Sequence, residues 1–270
     1  MPCLMKSPVV SVIVPVFNES PENLFASLSS IATQSYQNFE CIVIDESNAE
    51  ESVLACKKFC ESNPKFTYIH PIDRVGLAAS LNLGISRSRG CYIARFDSDD
   101  ICKQDRLQLQ VNYLDANPNT GVLGGAIEII DSLGNHIAYR KYKKSHFLIE
   151  LSFQLINSMA HPTLMIRKNI FESRGYYDQN YSMCEDLELW LRFLNKKVKF
   201  ENLDNVLIRY RQPTVHRKME NWRYNLKARL KNFSYRYFPL RIIGILLICI
   251  WPYFPKIATS KLYSIFLFRK

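Results

Sequence analysis

The first half of the chain alternates short apolar segments with longer helical patterns. This order restricts the possible fold class more than any other feature of the sequence. The apolar segments are VVSVIVPVF (9–17), ECIVID (40–45), FTYIH (66–70) and CYIARF (91–96). Helical patterns follow at 21–34, 50–63, 77–88 and 103–117, and Ser20 ahead of Pro21 is a suitable N-cap for the first. Continuously apolar strands are typical of a parallel sheet covered by helices on both faces. The order therefore predicts a doubly wound, mainly parallel α/β sheet flanked by helices.

The pattern changes after Pro118 to shorter strands and turns. GVLGGAIEII, GNHIAYRKY and HPTLMIRK indicate strands, with a helical stretch HFLIELSFQLI between the second and third. No linker rich in glycine, serine or proline separates this part from the first, so we expect an α+β half packed against it. The sequence predicts one domain over 1–220, with halves at 9–117 and 118–220, followed by a basic amphipathic C-terminal segment at 221–270.

Positive charge is concentrated at the C-terminal end. Residues 207–270 hold 14 Lys/Arg against one acid, a net charge of +13, whereas 1–206 hold 21 against 24, a net charge of −3. A near-neutral body with a basic, aromatic and apolar end favours an anionic membrane surface over nucleic acid. The apolar run 242–251 is too short to span a bilayer, which needs about 20 residues. We expect segment 221–270 to lie in the membrane interface; the alternative is an ordinary C-terminal helix packed on the domain.

The segment RFDSDD (95–100) directly follows a predicted strand. In open α/β sheets the ligand crevice lies outside the carboxyl ends of the strands, so a site is expected here. Asp97 and Asp99 can place one carboxylate on a sugar or ribose and the other on Mg²⁺ or Mn²⁺. The alternative is a plain turn and helix cap, because this spacing is common by chance.

Two other predicted strands also end in polar residues. Pro15 to Glu19 end the first strand, and Asp45, Glu46 and Ser47 end the second. We expect both ends to face the same crevice as Asp97, where an acid can bind a uracil-like imide or a ribose hydroxyl. Acids at isolated strand ends are usually turn formers, but here three strand ends share one edge.

With these segments the chain resembles the inverting nucleotide-sugar transferases of glycosyltransferase family 2, which have the GT-A fold. The resemblance rests on SVIVPVFNE (11–19), QSYQNFECIVIDES (34–47), LNLGISRSRGCYIARFDSDD (81–100), HPTLMIRK (161–168) and CEDLELWLRF (184–193). It implies transfer of a sugar from a nucleotide-diphosphate sugar, a UDP-sugar being favoured, with Mn²⁺ or Mg²⁺ as cofactor. The half at 9–117 is then the nucleotide-sugar-binding half and 118–220 the acceptor-side half.

The resemblance also implies roles for single residues. Asp99 matches the direct metal ligand, and Asp186 matches the catalytic base at the start of a predicted helix, where an anion is stabilised. The alternative for Asp186 is the ordinary preference of acids for a helix's first turn. The residues matched to donor nucleotide binding are Pro15, Glu19, Asp45, Glu46, Arg74 and Asp97. Candidate contacts to the acceptor or diphosphate are Glu185, His161, Arg209, Arg211 and His216, although a lone histidine is more often structural.

The chain departs from the family pattern at two places. Many members carry Asp-Asp-Gly-Ser after the second strand, whereas this chain has Asp45-Glu46-Ser47, which can alter base contacts or donor preference. Members that make long polymers carry a Gln-x-x-Arg-Trp motif, which this sequence lacks. That absence favours addition of a single sugar over processive synthesis.

Other functional classes fit the sequence less well. A nucleotidyltransferase would show a glycine-rich phosphate loop with Lys or Arg after the first strand, and residues 15–20 contain neither glycine nor lysine. A dehydrogenase would show GxGxxG there. A catalytically silent nucleotide-binding scaffold of the same fold is the remaining alternative, and the set Asp97, Asp99 and Asp186 argues against it.

The resemblance and the basic C-terminal segment together imply a bacterial enzyme of surface-glycan synthesis. We expect a lipid-linked acceptor, a saccharide on polyprenyl diphosphate, in the assembly of an O-antigen or capsule repeat. The start of the chain lacks a secretory signal pattern, and the cysteines show no CxxC pair and indicate reduced thiols. We therefore expect a cytoplasmic protein peripherally associated with the inner membrane, with no nucleic-acid partner.

Overall fold

A computed structural model of the chain describes residues 8–212, 219–250 and Tyr253. Its strands are β1 (Val10–Val16), β2 (Phe39–Asp45), β3 (Phe66–Ile69), β4 (Tyr92–Arg95), β5 (Ile101–Cys102), β6 (Thr120–Ile130), β7 (His136–Arg140), β8 (Met165–Arg167) and β9 (Lys199–Arg211). Its helices are α1 (Pro21–Ala32), α2 (Glu50–Glu61), α3 (Leu77–Arg87), α4 (Arg106–Ala116), α5 (His146–Phe153), α6 (Lys168–Arg174), α7 (Glu185–Asn195), α8 (Met219–Lys231) and α9 (Phe238–Ile250), with a 3-10 turn at His161–Thr163.

The described strands form one sheet in the order β3-β2-β1-β4-β8-β6-β9-β5, and β7 pairs with β6 outside this path. Strands β3, β2, β1 and β4 are parallel, as the sequence predicts. Beyond β4 the sheet is mixed, because β8 runs antiparallel to β4 and β6 while β9 runs parallel to β6. The sheet therefore continues from the first half of the chain into the second.

Helices cover both faces of the parallel part of the sheet. One core holds Leu28 of α1 together with side chains of α2 and α4, and the other holds Leu81 of α3 and Trp190 of α7. Strand β1 contributes to both cores, with Val14 in the first and Ile13 in the second. A strand buried on both faces needs apolar residues at every position, which accounts for its continuous apolar sequence.

The local signals agree with the structure at most element starts. The Ser20 hydroxyl accepts a hydrogen bond from the Asn23 amide at 3.3 Å, with Pro21 at the first helical position, so the predicted N-cap is confirmed. Helix α4 begins at Arg106, later than the predicted 103. The aspartate segment leads into strand β5 and does not cap a helix.

Three elements and one cysteine were not anticipated by the sequence patterns. The elements are β5, β9 and α6. Strand β9 has no regular alternation of apolar and polar residues, and it pairs with β6 along most of its length. Cys91 is disulfide-bonded, whereas Cys41, Cys56 and Cys60 are free and buried, so the expectation of reduced thiols is wrong at Cys91.

The described part of the C-terminal segment packs on the domain. The Lys231 ammonium of α8 donates to the Glu188 carboxylate of α7 at 2.9 Å. The buried Arg229 guanidinium donates to the carbonyls of Phe153, Gln154 and Leu155 at the end of α5, at 3.0, 2.7 and 3.1 Å. No helix within 8–212 or 219–250 has the length and apolarity needed to cross a bilayer.

Candidate functional site

The carboxyl ends of β1, β2 and β4 meet at one edge of the sheet. Val16 of β1 pairs with Asp45 of β2, and Ile13 of β1 pairs with Arg95 of β4. Asn18 ties the first two ends together: its side-chain oxygen accepts from the Asn48 amide at 2.9 Å. The three polar segments that the sequence places at strand ends therefore lie side by side, as expected for a crevice at this edge.

Three carboxylates cluster beyond the end of β4. Ligand atoms of Asp97, Asp99 and Asp100 lie within 4.8 Å of one another. Asp97 forms an ion pair with the buried Arg95 guanidinium. The backbone N–H of Arg211 donates to one oxygen of Asp100 at 2.8 Å, while the other oxygen of this fully buried carboxylate has no hydrogen-bond partner among residues 8–212 and 219–250.

The electrostatics of this cluster suit a divalent cation. Burial, with Asp97 and Glu19 nearby, raises the pKa of Asp99 to about 6. Burial, with Asp97 and Asp99 nearby, also raises the pKa of Asp100. Converging carboxylates with an unpaired buried oxygen form the hard oxygen ligand set that Mg²⁺ and Mn²⁺ prefer. The residues present therefore fit a metal of this class, and Asp99 belongs to the set, as the sequence expectation required.

Arg95 connects the acid cluster with the start of α7. Besides pairing with Asp97, it interacts electrostatically with Glu185 and Tyr177. Glu185 is buried, and burial together with the adjacent Asp186 raises its pKa to about 7. The first turn of α7 therefore lies within electrostatic range of the acid cluster, although Asp97 and Asp186 are far apart in sequence.

Asp186 lies half-buried in the first turn of α7. The Asn157 side-chain amide donates to its Oδ2 at 2.8 Å, and the Leu187 amide donates to its Oδ1 at 2.6 Å. These two bonds hold the carboxylate in a fixed orientation at the start of the helix. The arrangement is chemically suited to accepting a proton.

His161 is buried next to the first turn of α7. Its Nε2 lies 2.8 Å from the Tyr177 hydroxyl, and its Nδ1 lies 3.9 Å from Glu185 Oε1. Burial and the charge of Arg95 hold the pKa of His161 well below its ordinary value, so the ring is neutral near pH 7. His161 thus contacts both Tyr177 and Glu185 in the protein interior.

Asp45 is fully buried at the end of β2, and both of its oxygens are hydrogen-bonded. Oδ1 accepts from the Ser47 amide at 2.9 Å, and Oδ2 accepts from the Tyr68 hydroxyl at 2.9 Å. Tyr68 in turn stacks on His70 with ring centroids 6.2 Å apart. Asp45 therefore lies at the expected strand end, with Tyr68 as a partner that the sequence patterns did not indicate.

Glu46 binds the loop that precedes α3. Its carboxylate accepts from the amides of Val75 and Gly76 at 3.1 and 2.9 Å, and from the Ser80 hydroxyl. Arg74, whose side chain is 64% exposed, lies 4.0 Å from this carboxylate. The longer acid at this position thus orders the α3 N-terminus and holds Arg74 at the crevice.

The remaining donor-side candidates lie around the same edge. The Arg74 guanidinium stacks over the Phe17 ring at 3.7 Å. Pro15 is half-buried at the end of β1, and Glu19 accepts from the Ser20 amide and from Asn23 at 3.0 and 2.8 Å. Glu19 also contributes to the raised pKa of Asp99, which places it near the acid cluster.

The basic candidates near the end of β9 divide between two locations. The Arg211 guanidinium donates to the carbonyls of Asp99 and Ser132 at 3.1 and 2.6 Å, so it borders the acid cluster. The Arg209 side chain instead lies 3.5 Å from Glu128 and donates to the Gly134 carbonyl at 2.6 Å, although its backbone pairs with Ile101 beside the acid cluster. His216 lies outside the described residues.

The structure adds five site residues to those expected from the sequence: Arg95 and Asp100 of the RFDSDD segment, and Tyr68, Asn157 and Tyr210. Tyr210 of β9 has a raised pKa because of burial and the negative charge of Asp97 and its neighbours. Arg95 was visible inside the RFDSDD segment, as a cation two residues from a carboxylate. Tyr68, Asn157 and Tyr210 had no sequence signal, because their partners are distant along the chain.

Comparisons with known proteins agree with this geometry. A family model described as Glycosyl transferase family 2 matches residues 11–175. The O-antigen biosynthesis glycosyltransferase WbnJ of Escherichia coli is 33% identical over 196 residues, covering 71% of this chain and 74% of WbnJ. The amylovoran biosynthesis glycosyltransferase AmsE of Erwinia amylovora is 29% identical over 218 residues, covering 79% of this chain and 80% of AmsE.

Among solved structures, a fragment of S. aureus TarS in complex with UDP-GlcNAc superimposes with a TM-score of 0.69. The sequence identity is 15%, and the alignment covers 89% of this chain and 72% of that one. At this identity the similarity concerns the fold.

Proposed function

The chain belongs to glycosyltransferase family 2 and has the GT-A fold, and from this premise we propose a specific reaction for it. The protein transfers one sugar from a UDP-sugar to a saccharide carried on polyprenyl diphosphate, with inversion at the anomeric carbon. The reaction depends on Mn²⁺ or Mg²⁺. It serves the synthesis of a surface polysaccharide such as an O-antigen or capsule.

One observation carries this proposal: Arg95, which pairs with Asp97 of the acid cluster, also lies within electrostatic range of Glu185 in the first turn of α7. An inverting displacement needs a base on one side of the sugar and charge stabilisation of the departing diphosphate on the other. Asp186 and the acid cluster have the chemistry for these two tasks.

In the proposed reaction the acceptor hydroxyl oxygen bonds to the anomeric carbon while the bond from that carbon to the diphosphate oxygen breaks. The hydroxyl proton passes to the Asp186 carboxylate, and the nucleoside diphosphate leaves with the electron pair. Asn157 orients the receiving carboxylate through its 2.8 Å hydrogen bond. General base assistance of this kind is typically worth about 10²–10⁴ in rate.

Asp99, with Asp97 and Asp100, would hold the metal, and Arg95 neutralises part of the charge on Asp97. When bound, the cation neutralises negative charge that develops on the leaving diphosphate. Arg74 at the crevice and Arg211 beside Asp99 add positive charge on the same side. In this assignment Pro15 contacts the nucleotide, while the fully buried Asp45 acts indirectly by holding Tyr68 and the turn at Ser47. Glu46 holds the neighbouring loop in place.

The donor and acceptor classes have separate support. TarS has been solved with UDP-GlcNAc and with UDP, which favours a UDP-sugar here. WbnJ and AmsE act in the synthesis of O-antigen and amylovoran, which favours a surface polysaccharide as the product. The net positive C-terminal segment favours work at the cytoplasmic face of the inner membrane, where anionic lipids and a lipid-linked acceptor meet.

Calorimetric titration with UDP, GDP, CDP and dTDP, each with and without Mn²⁺, tests the donor site. We expect metal-dependent binding of UDP that is lost in Asp99→Ala. Asp105→Ala is the matched control, because Asp105 is an exposed carboxylate with no side-chain capping bond. A folded protein that binds no nucleotide with metal present would refute the donor assignment and favour the catalytically silent scaffold.

The base assignment is tested by Asp186→Asn beside Glu185→Gln. Asp186→Asn should keep UDP affinity and lower the rate of UDP release from the bound UDP-sugar by about 10²–10⁴. Glu185→Gln should lower it less, because Glu185 is buried against His161. A larger loss of rate in Glu185→Gln than in Asp186→Asn would assign the base to Glu185.

A further inference from the structure

Helix α9 leaves most of its large aliphatic side chains exposed, unlike a helix that packs its apolar face on a soluble domain. Its buried positions are Arg241, Gly244 and Ile248, spaced to lie on one face. Its exposed positions form a continuous apolar face of large aliphatic side chains: Ile242, Ile243, Leu246, Leu247 and Ile250. A soluble helix normally turns such residues toward the core. We call these five residues the α9 outer face.

The inner side of α9 is fixed firmly to the domain. The buried Arg241 guanidinium donates to the Asn232 carbonyl at 2.6 Å and to the Asn195 side chain at 2.9 Å. Gly244 approaches α5 so closely that a Cβ at this position would lie 1.9 Å from the Gln154 carbonyl oxygen. The α9 outer face is therefore a rigid part of the catalytic domain and not the side of a loose tether.

This attachment lies close to the proposed acceptor side. Gln154, which contacts Gly244, is three residues before Asn157, the hydrogen-bond donor to Asp186. Three residues of extended chain span at most about 10 Å. Ile156, between these two contacts, is 57% exposed.

The segment that carries this face is net positive, which suits an anionic surface. Residues 219–250 contain six Lys/Arg against the single acid Glu220. Arg223 and Lys227 of α8 are exposed, and so is Arg236, which is paired with Glu150. Apolar side chains flanked by exposed cations bind the headgroup and acyl boundary of anionic bilayers. A partner with an acidic surface alone would leave the aliphatic side chains exposed.

We infer that the α9 outer face is the surface by which this protein lies on an anionic lipid bilayer, in a fixed orientation that keeps the Asn157–Asp186 side near the lipid. The inference deepens the proposed membrane association and rests on it for the acceptor. It replaces a general electrostatic attraction of the C-terminal segment by a defined docking face.

Flotation of the full chain with vesicles of phosphatidylcholine, with and without phosphatidylglycerol, tests this inference. The wild type should float with the anionic vesicles, and a Leu246→Glu, Leu247→Glu double variant should bind at least about tenfold more weakly. The control is Leu133→Glu with Ile137→Glu, which makes the same charge change at two other exposed apolar residues. The control should float like the wild type.

Two further measurements separate the outcomes. All three proteins should bind UDP equally. If the wild type floats as expected but binds no UDP, the proposed donor is wrong and the docking face is still supported. Equal flotation of the α9 variant and the wild type would overturn the docking face. So would a lipid-free wild-type dimer that the α9 variant converts to a monomer, because the face would then belong to a second copy of the chain.

Discussion

Replacing Asp99 with asparagine should stabilise the metal-free protein while it removes metal binding. Burial, Asp97 and Glu19 raise the pKa of Asp99 from 3.8 to about 6. One pKa unit corresponds to about 1.36 kcal/mol, so the full shift corresponds to about 3 kcal/mol of destabilisation of the charged form. The side chain is partly exposed and solvent screens its neighbours, so we expect a gain of about 1–2 kcal/mol in the free energy of unfolding.

The sign of the pH dependence follows from the direction of the shift. A carboxyl with a raised pKa in the folded state binds its proton more tightly there than in the unfolded chain, so its charged form destabilises the fold. The gain from Asp99→Asn should be absent below pH 3.8, grow as the pH rises, and level off above about pH 6. Metal affinity of the wild type should fall over the same range as the pH is lowered, because protons compete for the carboxylate.

Thermal unfolding of metal-stripped proteins across this pH range is the assay. At neutral pH the variant should unfold about 2–8 °C above the wild type. Added Mn²⁺ should raise the unfolding temperature of the wild type and leave the variant unchanged. Asp105→Asn, at an exposed position, should follow the wild type in both respects. A variant less stable than the wild type at neutral pH, or equal stabilisation of both by Mn²⁺, would refute the electrostatic reasoning.

Two other substitutions probe contacts that the structure reveals. Tyr68→Phe should lower the free energy of unfolding by about 1–3 kcal/mol, because it removes a hydrogen bond to the fully buried Asp45; unchanged urea denaturation would mean that Asp45 has another donor. Gly244→Ala should cost about 1–3 kcal/mol, since its Cβ overlaps the Gln154 carbonyl and α9 must move. Cys249→Ala, at an exposed position of α9, is the control and should leave the melting temperature unchanged.

Much of the donor side could be predicted from local sequence. Asp45 ends one apolar strand and Asp97 closely follows another. The carboxyl ends of parallel strands share an edge, so the predicted parallel order brings the two residues to the same edge. Asn157 and Tyr68 could not be predicted in this way. Asn157 reaches Asp186 across 29 residues, through a turn after α5, and a contact of this kind depends on how two non-adjacent elements pack.

Helix α9 separates the properties that the local sequence determines from those that depend on packing against the rest of the fold. The apolar run that includes 242–250 determines that a short helix forms and that it cannot cross a bilayer, because helix propensity and length are local properties. The same run is compatible with an interfacial segment and with a packed C-terminal helix. The packing of Arg241 and Gly244 onto the domain selects which side turns inward, and it leaves the aliphatic side exposed. An apolar sequence favours removal of its side chains from water. Which of those side chains are buried depends on the shape and the hydrogen-bonding groups of the neighbouring elements.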